Sequence, residues 1–93
     1  MTKKTMTKQD SLINFKKAQG HLAKIIKMVE GGEYCINIMQ QNLAVIGLLK
    51  SAHAILMEGH LNGCFSHAMQ SSSQAQKDKM IEEILKVTKL FNK

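Results

Sequence analysis

A chain of 93 residues with 44% hydrophobic side chains and no proline can bury only a modest core alone, so a small all-α protein that relies on further copies of itself for cover is expected. Its net charge of +6, from 13 basic and 7 acidic residues, points to phosphate-bearing partners, nucleic acid foremost. No apolar run approaches the ~20 residues of a membrane span, and none follows the lysine-bearing start as a signal peptide requires, so a cytoplasmic protein is expected.

Residues 1–9 are polar and lysine-rich without a period, and read as a flexible basic arm ahead of a single helical domain over 10–93. Asp10 or Ser11 can cap a first helix, whose apolar recurrence is Leu12, Phe15, Ala18, Leu22, Ile25, Ile26 and Val29. On a helical projection Lys16, Lys17, Lys24 and Lys27 fall within an arc of roughly 100° on the opposite side. That side is the expected phosphate face. Every basic residue is lysine, so the planar fork that reads guanine is missing, and backbone contacts and DNA shape should outweigh base readout. Gly31-Gly32 ends the helix by admitting left-handed backbone angles.

A second helix is expected from Glu33 to about Met69, long for so short a chain. Cys35, Met39, Asn42, Ile46, Leu49, His53, Leu56 and His60 alternate spacings of four and three, a heptad seam suited to a partner helix. Ile38, Val45, Leu48, Ala52 and Ile55 form another stripe, and a helix apolar on two sides belongs inside a bundle. After Ser71-Ser72-Ser73, a third and shorter amphipathic helix is marked by Met80, Ile81, Ile84, Leu85, Thr88 and Phe91.

His60 and Cys64, four apart on a helix, face the same side and can share an ion. Cys35, the other thiol, lies 25 residues before His60, about 37 Å along a helix. One chain cannot close that distance. Two long helices packed antiparallel along the seam bring Cys35 of one chain beside His60 and Cys64 of the other, giving two equivalent sites per dimer. Two thiolates and an imidazole suit Cu(I), and a fourth ligand would adapt them to Zn(II), Ni(II) or Co(II). Against that stands the plainer reading of the cysteines as small core hydrophobes and of His60 as a buried, hydrogen-bonded imidazole. Two further alternatives stay open: a redox sensor linking Cys35 and Cys64 of different chains by a disulfide or persulfide, and a metal-binding module that does not bind DNA. His53 reads as a core or interface residue; His67 is a candidate auxiliary ligand, a minor reading, and Tyr34 either a hydrogen-bond donor behind Cys35 or, more plainly, an interface aromatic. No phosphate-cradling glycine loop, nucleophile elbow or catalytic carboxylate pair is present, so an enzyme is not expected.

Over residues 12–90 the sequence resembles the CsoR/RcnR family of bacterial metal- and stress-sensing repressors. The carriers are Lys16-Lys17-Ala18-Gln19-Gly20-His21-Leu22, Met28-Val29-Glu30, Glu33-Tyr34-Cys35, Gln41-Asn42-Leu43-Ala44-Val45, and Lys50 with His60-Leu61-Asn62-Gly63-Cys64. The resemblance implies three helices per chain, a dimer of antiparallel long helices forming a four-helix bundle, and a dimer of dimers, hence a homotetramer. It also implies a repressor that holds double-stranded operator DNA when metal-free and lets go on binding metal. Cys35, His60 and Cys64 match the ligands of the copper-sensing branch, so Cu(I) is the metal implied; nickel and cobalt sensors add an N-terminal His, and none precedes His21 here. The family's supporting Tyr and Glu look like Tyr34 and one of Glu82 or Glu83, and its DNA face like Lys16, Lys17, Lys24 and Lys50. Asn14 and Ile46 stand where family members usually carry arginine.

Overall fold

The computed structural model describes residues 6–71 and 73–93; Lys3, Lys4 and Ser72 lie outside them. Helix α1 spans Leu12–Glu30 and α2 spans Cys35–His60. The long helix then continues through a π-helical turn, Leu61–Phe65, into the single turn of α3, Ser66–Met69, and α4 spans Gln74–Phe91. All elements of the described residues are helical, as the composition led one to expect, and the three principal helices are those the apolar recurrences marked.

Boundaries follow local chemistry. Gly32 takes φ +70°, and the Glu33 N–H donates to Met28 O at 2.9 Å while Gly32 N–H donates to Val29 O at 3.1 Å. These are the paired bonds of a Schellman motif, which satisfy the last carbonyls of α1. The Ser73 hydroxyl accepts from Gln76 N–H at 3.3 Å, capping α4, which starts six residues before the apolar run expected to mark it. Within the segment read as a flexible arm, Met6–Gln9 are ordered against α2. Lys8–Ser11 form a 3-10 turn in which Asp10 Oδ2 accepts from the Thr7 N–H at 2.7 Å, and Met6 N–H reaches Glu58. A capping box and a contact with a distant helix offset the entropy that a free arm would keep.

The α1–α2 hairpin buries Ala18, Val45 and Ala52, with Ile38, Leu48 and Ile55 half-buried beside them. The second stripe of α2 thus serves the chain's own core. On α1 the inward residues are Ser11, Asn14, Ala18, His21, Ile25 and Met28, a face rotated by roughly 60° from the centre of the apolar stripe. Leu12, Phe15, Leu22, Ile26 and Val29 remain exposed, as do Met39, Ile46 and Leu49 of the α2 seam. The chain presents 7394 Å² to solvent, where a compact monomer of its mass would present about 5,400 Å². Its radius of gyration is 17.8 Å, against about 12 Å for a globule of this length. Roughly 2,000 Å² of surface lies beyond the globular norm, much of it apolar and open to be covered.

Candidate metal centre

At the end of α2 the backbone widens. A π turn closes i→i+5 bonds, so a residue four positions on undershoots a full turn by about as much as it overshoots in an α-helix. His60 and Cys64 therefore share a face across the turn, and both line a cleft of about 330 Å³ with Leu56, Gly59 and Gly63. The other wall is Met6, Thr7 and Lys8. His60 is half-buried and Cys64 is a free, exposed thiol. The residue inserted by the π turn rotates everything beyond it by about 100° relative to a continuous α-helix. His67, read from the sequence as an auxiliary ligand, is exposed and does not line this cleft.

Cys35 opens α2 at its other end, also free and exposed. A helix of 26 residues holds it about 37 Å from His60, and among the described residues no three His, Cys, Asp or Glu side chains gather at one point. Tyr34 stands just outside α2, 68% exposed, its carbonyl accepting from Asn37 and Ile38 N–H at 3.0 and 3.3 Å. Glu82 and Glu83 are exposed on α4 and are not among the residues lining the His60–Cys64 cleft. His53 stacks on Phe91, ring centroids 4.6 Å apart at 11°, tying the end of α4 to the middle of α2. The chemistry on offer is thus a thiol and an imidazole at one end of α2 and a lone thiol at the other, with an uncovered apolar seam between.

Lys16, Lys17, Lys24 and Lys27 are all exposed on α1, Lys17 at the rim of a groove shared with His21, Ala44 and Leu48. Lys50 is not gathered with them. Two residues on from Leu48, it leaves the far side of α2 and borders His53, Thr88 and Phe91. No helix among the described residues is long and apolar enough to cross a membrane. Sequence reasoning overlooked the part of Met6–Lys8 and Gly59 in shaping the cleft. A glycine directly before the histidine was the available signal.

Fold and site together define a helical protein that carries thiol and imidazole donors on its long helix and a cationic face on another, the equipment of a metal-responsive DNA-binding protein. The family model of the metal-sensitive transcriptional repressors matches residues 7–90, and the chain belongs to that family, one of regulators and not of enzymes. It is 37% identical over 81 residues to the copper-sensing transcriptional repressor CsoR of Mycobacterium ulcerans (strain Agy99), covering 86% of this chain and 69% of that one. To the CsoR of Bacillus subtilis (strain 168) it is 33% identical over 91 residues, 97% of this chain and 87% of the other. Among solved structures, the copper-sensing repressor CsoR with Cu(I) from Geobacillus thermodenitrificans NG80-2 superposes with a TM-score of 0.81 at 28% identity, covering 100% of this chain and 95% of that one. The resemblance read from the residues and the three-helix architecture both hold.

Proposed function

We propose that the chain is a copper-sensing repressor: free of metal it holds operator DNA through the lysines of α1, and it lets go when Cu(I) is held between Cys35 of one subunit and His60 and Cys64 of the partner subunit. The observation that carries this reading is the split donor set. Two of its three donors lie in the cleft at the end of α2, the third about 37 Å away, and the Met39, Ile46 and Leu49 seam that would pair two such helices is left exposed. Antiparallel pairing covers the seam and joins the donors in one act.

The residues fit the ion. Two free thiols and an imidazole at the rim of a largely apolar cleft are soft and borderline donors, which favour Cu(I) over oxygen-seeking cations. Bound there, the ion would supply a clamp between subunits. Lys16, Lys17 and Lys24 supply the phosphate contacts; Lys50, on the far side of α2, joins them only where the assembly lays one subunit's α2 beside another's α1. Release then rests on differential affinity, the metal being held more tightly by the arrangement in which these lysines no longer match the DNA backbone. In the dimer, or in a homotetramer made of two such dimers, Cu(I) and DNA weaken each other's binding by the same factor.

The test is fluorescence anisotropy of a duplex taken from upstream of the protein's own gene. Metal-free protein should bind, one Cu(I) per chain should release it, and His60→Ala should stay bound in Cu(I). Unchanged DNA affinity across the titration, together with unchanged Cu(I) binding by His60→Ala, defeats the reading. Release by sulfide or oxidant with a crosslinked dimer and no need of metal would instead support the thiol-sensing reading, which the two exposed cysteines also permit.

A further inference from the structure

One wall of the His60–Cys64 cleft belongs to neither α2 nor the π turn. Met6, Thr7 and Lys8 form it, and two independent devices hold them there. Glu58 Oε2 accepts a hydrogen bond from the Met6 N–H at 2.6 Å, a short bond of the charge-assisted kind. Gly59 lets the crossing backbone settle directly on the helix. A Cβ at that position would stand 3.1 Å from the Lys8 nitrogen and 3.3 Å from both the Met6 oxygen and the Thr7 carbonyl carbon. The Thr7–Asp10 capping box then fixes the direction in which the segment leaves.

The residue seated in this way is a methionine, 38% exposed, lining the same cleft as the His60 imidazole and the free Cys64 thiol. Its thioether is flexible, polarisable and soft, the donor type that thiophilic ions take. From this juxtaposition we infer that Met6 is a further metal-binding residue, its sulfur joining His60 and Cys64 so that the end of α2 offers three donors for a soft monovalent cation within one subunit. The inference rests on the metal-sensing reading above. It deepens that reading by giving the ion a holding place made from one chain, to which the partner subunit's Cys35 is added. On ligation Cys64 gives up its S–H proton to solvent, whereas Met6 has no proton to lose and no oxidation state changes. The same segment runs into Lys8, so the donor stands two residues from a cationic side chain and six from Leu12, the first residue of α1.

Cu(I) affinity of the full-length protein, measured by competition with a chromophoric chelator, tests this alongside NMR of methyl-labelled methionine. Met6→Leu should weaken Cu(I) binding by roughly tenfold, the lower end of what loss of a supporting residue costs a metal site. The Met6 methyl resonance, assigned by its loss in Met6→Leu, should shift with one equivalent of Cu(I). Gly59→Ala keeps every donor but pushes the crossing backbone away, and should weaken binding to a similar degree without adding to Met6→Leu. Wild-type affinity in Met6→Leu, or a weaker affinity with an unmoved Met6 methyl, overturns the inference. His60→Ala separates the two levels: lost binding in that variant with none lost in Met6→Leu leaves the metal-sensing reading intact and removes Met6, whereas undiminished binding in both removes the two together.

Discussion

Subunits damaged at opposite ends of α2 should repair one another. Cys35→Ser disables one end, and His60→Ala combined with Cys64→Ser disables the other, the two being about 37 Å apart on one rigid helix. Neither variant can form a complete site as a homodimer. When the two are co-expressed and assort at random, half of the dimers are mixed, and each mixed dimer carries one complete site and one lacking all three ligands. The population should then bind about one quarter of the wild-type complement of tightly held Cu(I). Mixed dimers isolated through two different affinity tags should bind one ion where the wild type binds two. The competing chelator must be strong enough to strip Cu(I) from the donors of a single subunit, so that only the shared site registers. Tight binding by the mixture no greater than that of the separate parents refutes a site shared between antiparallel helices.

The same pairing sets a register: bringing 35 level with 60–64 places the two-fold axis beside Leu49, so Leu49→Cys in a Cys35→Ser, Cys64→Ser background should form a disulfide with its own copy under mild oxidation. Met39→Cys should not, its copies lying about 30 Å apart, and crosslinking of both on a non-reducing gel would indicate parallel helices. Lys16→Ala with Lys17→Ala should flatten the dependence of DNA affinity on salt, by about 1 in log–log slope for each phosphate left without its lysine; an unchanged slope removes α1 from the DNA face. Two glycines of the first hairpin should respond oppositely to alanine. Gly32, at φ +70°, should cost about 1 kcal/mol, and Gly20, with nothing within 4 Å of an added Cβ, should gain about as much, read by urea unfolding at fixed chain concentration.

Much of this fold was legible because its signals are local. Gly31-Gly32 announced the end of α1, and the i, i+4 spacing placed His60 and Cys64 on one face in either helical form. Three features were not legible, each for a physical reason. The π turn at Leu61–Phe65 leaves no compositional mark, so the displacement of His67 could not be foreseen. The seating of Met6–Lys8 depends on a hydrogen bond from Met6 to Glu58 and on the missing Cβ of Gly59, both some 50 residues away in sequence. The apolar stripe of α1 was legible as a set of residues, but not which of them meet the chain's own core. Ala18 and Ile25 meet α2 of the same chain, whereas Phe15, Leu22 and Ile26 wait for something else, and periodicity alone does not divide a stripe between two surfaces.

That division bears on how metal can act. Some 2,000 Å² of surface beyond the globular norm, much of it apolar, gives subunits a reason to associate that does not depend on metal. In the proposed assembly that surface would be covered whether or not Cys35, His60 and Cys64 hold an ion. On the proposed mechanism ligation would then have no dimer to create, and its leverage would lie in choosing between arrangements of a bundle already formed. The contact between α1 and α2 is one place where such a choice can act. Its buried side chains are small, Ala18, Val45 and Ala52, and the larger Ile25, Leu48 and Ile55 are only half-buried, so a small slide of α1 forfeits few fully buried contacts. The lysines ride on that same helix. A clamp at the end of α2 need shift α1 only slightly to spoil the match between a row of cations and the regular spacing of a DNA backbone.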